Sequence, residues 1–145
     1  MSESIRFFTE NIQYKLGKKT KLRKWIKAVV RSEQYCTGVI NFVLCDDDFL
    51  SDMNIKYLKH NTLTDIITFP FNEENRIING EIYISLPRVR ENALKFNDNI
   101  EDELHRVMIH GILHLLGYKD SSKEEKEKMH TKENSCLLCL SEIES

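Results

Sequence analysis

The stretch HGILHLLGYKD, residues 110–120, decides how the rest of the chain is read. It holds two histidines four residues apart, a glycine three after the second, and an aspartate three beyond the glycine. Upstream of it, residues 100–116 carry Leu104, Met108, Ile112 and Leu115 at helical spacing, which predicts a long amphipathic helix with one apolar stripe. His110 and His114 lie off that stripe and one turn apart, so their imidazoles share a face. Gly117 stands where a helix ends cheaply in the left-handed conformation. The chain can then turn back, bringing Asp120 to the histidines. Two imidazoles and a carboxylate, with a fourth position left open, make a catalytic zinc arrangement.

The pattern H-x-x-x-H-x-x-G-x-x-D follows the turn of the metzincin motif, with aspartate in the place of its last histidine. It differs at one decisive position. In zincin peptidases a glutamate follows the first histidine and serves as general base; here that residue is Gly111. Amide cleavage needs help for a poor leaving group, which glycine cannot give. Phosphodiester cleavage leans more on stabilising charge, which a metal and a few cations supply. The chemistry favours a nuclease over a peptidase. A glycine inside a helix also costs about 1 kcal/mol relative to alanine, so a close approach to the backbone is expected beside His110.

Outward from this helix, the chain alternates elements. Residues 5–8 read as a strand, and the run to about residue 33 as an amphipathic helix with Leu22, Trp25, Ile26 and Val29 on its apolar face. Trp25 is expected in the core and not as a base-stacking platform. Residues 37–45 (TGVINFVLC) read as a buried strand. Asp46, Asp47 and Asp48 open a helix, placing acids at its positive end. Residues 65–71 (DIITFPF) read as an edge strand because of Pro70. Asn79-Gly80 reads as a turn, and residues 81–86 as the second strand of a hairpin. Pro87 opens a helix, and residues 121–140 read as the last one. The expectation is an α+β fold: a small mixed sheet of about four strands with surrounding helices, and a metal-binding helix ended by a metzincin-like turn. No repeat, low-complexity tract or linker divides the chain, so residues 1–145 are expected to form a single domain.

Composition sets the class. Of 145 residues, 41% are hydrophobic and 30% charged, with a net charge of −2, which is ordinary for a soluble globular protein. No apolar run approaches the roughly 20 residues that cross a bilayer, and the N-terminus does not read as a signal peptide. A cytoplasmic protein without a membrane partner is expected. The four cysteines are Cys36, Cys45, Cys136 and Cys139. Cys136 and Cys139 have C-x-x-C spacing, but with no second pair they read as small apolar residues on the last helix. Charge is uneven: residues 15–27 (KLGKKTKLRKWIK) are rich in cations and hold no acid. Lys18, Lys19, Lys21, Arg23 and Lys24 are candidate contacts to a phosphate backbone. His105 and His130 are expected on the surface. Thr64 and Asp65 are candidates to orient the metal site from outside its ligand shell.

Residues 110–118 (HGILHLLGY) closely resemble the signature of the YbeY-type bacterial endoribonucleases, also called rRNA maturation factors, which resembles H-G-x-L-H-L-x-G-Y-D-H. The likeness extends to residues 54–69 (NIKYLKHNTLTDIITF), to Gly80-Glu81-Ile82 with Ser85, and to Met129 and Glu133 in the last helix; it spans roughly residues 50–135. The resemblance implies a zinc-dependent, single-strand-specific endoribonuclease. Its implied role is maturation of the 3′ end of small-subunit (16S) rRNA and ribosome quality control. Its implied partners are ribosomal RNA and the small ribosomal subunit, not DNA. Two positions depart from the family pattern. Asp120 stands in the place of a third histidine ligand, which should make a metal-held water less acidic and shift preference toward harder cations. Leu58 stands where the family usually has an arginine after the tyrosine. Lys59, His60 or Arg106, one turn before His110, are the candidates to replace it in catalysis. A zincin-type metallopeptidase and a ribosome-assembly protein with a structural metal are the rival readings.

Overall fold

The apolar run at residues 37–45 lies inside a four-stranded sheet, seen in a computed structural model that describes residues 4–58, 64–71 and 74–144. The strands are β1 (Ser4–Glu10), β2 (Cys36–Cys45), β3 (Ile66–Pro70) and β4 (Ile77–Ser85), in the spatial order β1-β2-β4-β3. β1 and β4 both run parallel to β2, and β3 is antiparallel to β4, pairing Ile66 with Ile84 and Pro70 with Gly80. Pro70, which has no N–H, closes an edge strand as expected. Five helices lie among the described residues: α1 (Lys19–Ser32), α2 (Asp47–Met53), α3 (Leu86–Lys95), α4 (Ile100–Leu115) and α5 (Lys123–Glu142). α2 runs on into a single π-helical turn at Asn54–Leu58.

Local chemistry sets the helix ends. Asp46 Oδ1 accepts from the Phe49 amide at 2.8 Å, so the acid triplet caps α2. Asn99 caps α4 through the Asp102 amide. α5 starts with a reciprocal capping box between Ser122 and Glu125.

The sheet separates two apolar layers. On one face Ile40, Phe42, Leu44, Ile82 and Ile84 share one apolar cluster with Trp25 and Ile26 of α1 and Met108 and Ile112 of α4, and α5 packs on those helices with Met129 in the same cluster. On the other, Cys45, Leu50 and Ile67 form a smaller cluster with Phe49, Phe69 and Tyr83. All four cysteines are free thiols; Cys136 is buried in α5 beside Leu140, the apolar role expected of it.

Two expectations are corrected. Asn79-Gly80 is not a turn: both residues lie within β4, whose ladder extends back to Ile77. The β-branched Ile77 and Ile78 continue the strand, and the chain reverses earlier, with Asn75 and Arg76 at φ 53° and 59°. Gly80 answers to space: a Cβ there would lie 2.8 Å from the Phe69 carbonyl oxygen. The Asn79 side chain accepts from the Val39 amide at 2.8 Å, across the register shift between β2 and β4. His105 is the second correction. It is only 5% exposed and packs edge-on to Trp25, 6.2 Å between ring centres. α4 is covered by the sheet on one side and by α1 and α5 on another, so its buried face is wider than a single stripe.

The burial of His105 has a consequence for acid stability. Burial lowers its pKa below the ordinary 6.5, and Lys18 and Lys21 push the same way while Glu101 and Asp102 oppose them. Below about pH 6.5 the unfolded chain therefore binds a proton that the folded chain refuses, and stability falls as pH falls. In urea titrations between pH 7.5 and 5.5, His105→Leu should show a shallower loss of stability than wild type. An equally steep slope in the variant would contradict this assignment.

Gly111 confirms the close approach inferred from its place in a helix. A Cβ there would lie 2.8 Å from Ile82 Cγ2 and 3.1 Å from Ile66 Cδ1, so α4 rests directly on β3 and β4. Alanine has the better helix propensity by about 1 kcal/mol, yet overpacking costs about 1–3 kcal/mol. Gly111→Ala should lower the unfolding free energy by about 1 kcal/mol in urea; a stabilised variant would show that the contact yields freely.

Candidate metal centre

α4 carries both histidines, and its C-terminus carries the chain back to them. Gly117, at φ 102°, takes the left-handed position. The Gly117 amide donates to the His114 carbonyl and the Tyr118 amide to the Leu113 carbonyl, both at 3.0 Å, the two bonds of a Schellman cap. The reversal brings Asp120 over the histidine face. His110 Nε2 lies 3.0 Å from His114 Nε2 and 3.2 Å from Asp120 Oδ2, and His114 Nε2 lies 3.4 Å from the same oxygen.

The other ring nitrogens decide what these three atoms are. His114 Nδ1 lies 3.1 Å from the Tyr118 carbonyl oxygen, which can only accept, so Nδ1 holds the proton. His110 Nδ1 lies 2.5 Å from Glu133 Oε2. Burial opposes ionisation of Glu133, but its bonds from His110 and Arg106 outweigh this and hold it below the usual carboxylate range. Glu133 is therefore an acceptor and His110 Nδ1 a donor. Burial likewise disfavours charge on His110, and the Glu133 bond and charge outweigh it, raising that imidazole. In their neutral forms, with both Nδ1 atoms donating, the two imidazoles and Asp120 present the Nε2 and Oδ2 lone pairs to one point.

The three atoms converge at 3.0–3.4 Å, a spacing that a positive charge among them stabilises, whether a metal ion or the proton of a His110 imidazolium. Ligand atoms about 2.0–2.1 Å from a tetrahedral metal stand roughly 3.3 Å apart, so the triangle matches one face of such a shell. His110, His114 and Asp120 fit a divalent metal, and they form the one such cluster among the described residues.

The centre opens into a cleft of about 470 Å³ bounded by Thr64, Asp65, Thr68 and Glu103 as well as the ligands. Burial raises the carboxyl pKa of Asp65, and also that of Glu103, where Arg106 opposes it. Asn92 Nδ2 donates to Asp65 Oδ2 at 3.4 Å.

The other candidates from sequence are dispersed. Arg106 donates from Nη1 to Glu133 Oε1 at 2.9 Å and from Nη2 to Asn134 at 2.7 Å, so it bears on His110 through Glu133. Lys18 pairs with Glu101 at 3.0 Å; with Lys21 it borders a second cleft, which shares Arg106 with the first. Arg23 donates to the Ile5 carbonyl at 2.8 Å and lies over the Phe7 ring. Lys19 and Lys24 are exposed on α1. Lys59 and His60 lie outside the described residues. His130 is exposed, as expected.

Glu133 is the site residue that spacing alone does not reveal. It is 6% exposed, and a buried glutamate with an arginine and a histidine on its two oxygens is a ligand-orienting group. Glu133→Ala should weaken zinc binding about 10- to 100-fold, measured by competition with a chelating dye. Unchanged affinity would remove it from the site.

Fold and centre together define a small α+β protein with a metal site of the kind used by metal-dependent hydrolases. The family model described as Endoribonuclease YbeY matches residues 6–141, and the chain belongs to that family. It is similar to proteins named Endoribonuclease YbeY from Cytophaga hutchinsonii, at 43% identity over 93% of this chain and 94% of the relative, and from Amoebophilus asiaticus, at 45% identity over 93% and 92%. Among solved structures it resembles the solution structure of a Thermotoga maritima protein, with a TM-score of 0.64 and 32% identity over 94% of this chain and 89% of that one.

Proposed function

We propose that this chain is a metal-dependent endoribonuclease that cuts single-stranded RNA in ribosomal RNA processing. The observation that carries the reading is the convergence of three lone-pair donors from His110, His114 and Asp120 in an open cleft, in a chain of the YbeY family. Zinc, one per chain, is the ion that suits two imidazoles and a carboxylate best. It would polarise a phosphate oxygen and supply an activated water. Glu133 and the Tyr118 carbonyl hold the two imidazoles in the tautomer that leaves Nε2 unprotonated, and Arg106 orients Glu133. Lys18, Lys19, Lys21 and Lys24 would draw in the RNA backbone, with Arg23 more occupied by its own fold contacts. Lys59 and His60 are the candidates to meet the scissile phosphate.

The substrate proposed is the 3′-end precursor of 16S rRNA on the small ribosomal subunit, in the cytoplasm, with a role in ribosome quality control and residues 1–145 acting as one domain. No helix among the described residues is long and apolar enough to cross a membrane. A peptidase is disfavoured because Gly111 faces Ile82 and provides no base. The test is to incubate the zinc-loaded protein with a single-stranded 3′-precursor RNA, the same RNA annealed to a complement, and casein. Cleavage of the single strand alone is expected. Casein hydrolysis, or no RNA cleavage by a protein that holds zinc, would overturn the proposal.

A further inference from the structure

The turn that delivers Asp120 is tied to a part of the molecule remote in sequence. Tyr118 Oη donates to Glu33 Oε1 at 2.8 Å, 85 residues away at the end of α1. The second oxygen of Glu33 pairs with Lys132 Nζ of α5 at 3.0 Å. The Tyr118 carbonyl also accepts from His114 Nδ1. One residue therefore joins the α1–α5 junction to the back of a metal-ligating imidazole and lies two positions before the third ligand. Gly117 and Lys119, on either side of it, are exposed, whereas Tyr118 is half-buried. The segment is anchored at its start by the Schellman cap and at its end by the capping box of α5. Between them the phenol is its link to α1.

We infer that Glu33 and Tyr118 are positioning residues of the metal centre: the Glu33–Tyr118 hydrogen bond sets the place of the Tyr118 carbonyl, and through it the orientation of His114 and the reach of Asp120. The inferred role belongs to the oxygen of Glu33 that meets the phenol, and the one that meets Lys132 is not required for it. The inference rests on the metal-site reading above. An outer partner that fixes an imidazole is worth about 10- to 100-fold in metal affinity, and a partner one step further out falls at the lower end.

The test measures zinc dissociation constants by dye competition, and cobalt(II) absorption spectra, for wild type, His114→Ala, Tyr118→Phe, Glu33→Ala and Glu33→Gln, with folding of each metal-free protein checked by circular dichroism. Tyr118→Phe and Glu33→Ala should each weaken zinc about 10-fold and shift the cobalt spectrum. Glu33→Gln, whose amide oxygen still accepts from the phenol, should return to within about 3-fold of wild type. The double variant Tyr118→Phe/Glu33→Ala should be no weaker than either single one, because both break one contact. Tyr118→Phe keeps the ring, so it decides the matter if Glu33→Ala fails to fold. A folded Tyr118→Phe protein with wild-type zinc affinity and cobalt spectrum would overturn the inference and leave the metal site standing. So would a Glu33→Gln protein as weak as Glu33→Ala. Wild type that binds zinc no better than His114→Ala would sink both the site and this inference.

Discussion

His114→Ala is expected to lose its metal affinity and to cut single-stranded RNA at least on the order of 100- to 1000-fold more slowly than wild type, while keeping its fold. The imidazole is partly exposed on the rim of the cleft, so removing it opens no hole in the core. What disappears is one of three lone-pair donors, leaving His110 and Asp120 as a two-ligand remnant. The scale of the loss follows from the proposed role of the cation as the main source of charge stabilisation at the phosphate. Arg106 is committed to Glu133 and Asn134. Elemental analysis and cleavage kinetics on the same preparation check both halves. A metal-free variant that cleaves at the wild-type rate would separate the activity from the site.

Trp25→Ala is expected to have the largest effect on stability, about 3–5 kcal/mol. The indole is fully buried and its Nε1 donates to the Cys136 carbonyl at 2.7 Å, joining α1 to α5. Truncation opens a cavity among Leu22, Ile26 and His105 and removes that bond as well. Against a total of about 5–15 kcal/mol for an ordinary domain, this is a large share, so the variant should unfold at a clearly lower urea concentration. Metal affinity of the fraction that remains folded should change little, since Trp25 touches none of the ligands. Unchanged stability with lost RNA affinity would mean that the tryptophan meets bases after all.

The parts of the molecule that were legible in advance are those governed by short-range spacing. The four-residue interval of His110 and His114, the glycine that ends α4 and the aspartate three beyond it describe the centre because helix geometry converts interval into proximity. The edge character of β3 followed from Pro70, and the cap of α2 from Asp46. What escaped was governed by contacts between elements. Glu133 reaches His110 from a different helix, 23 residues away, and only the resemblance to a family drew attention to its position. The Glu33–Tyr118 bond spans 85 residues and has no local signature. His105 reads as a surface residue on a one-stripe helix and is buried because α4 is covered on two sides. Asn79-Gly80 has the form of a turn, yet pairing with β2 and β3 on both flanks holds it in a strand. The basic run shows a related limit. Composition marks it as a cationic stripe, while the structure gives Arg23 to the Ile5 carbonyl and Lys18 to Glu101.

RNA cleavage is proposed to depend on one divalent cation held by His110, His114 and Asp120. The most direct test is to strip the protein of metal and titrate zinc back while following cleavage of a single-stranded 16S rRNA 3′-precursor and the zinc bound per chain. No cleavage is expected at zero metal, and activity should rise with bound zinc and saturate at one per chain. Cleavage by the fully stripped protein, or saturation of zinc at one per chain with no activity gained, would contradict that dependence.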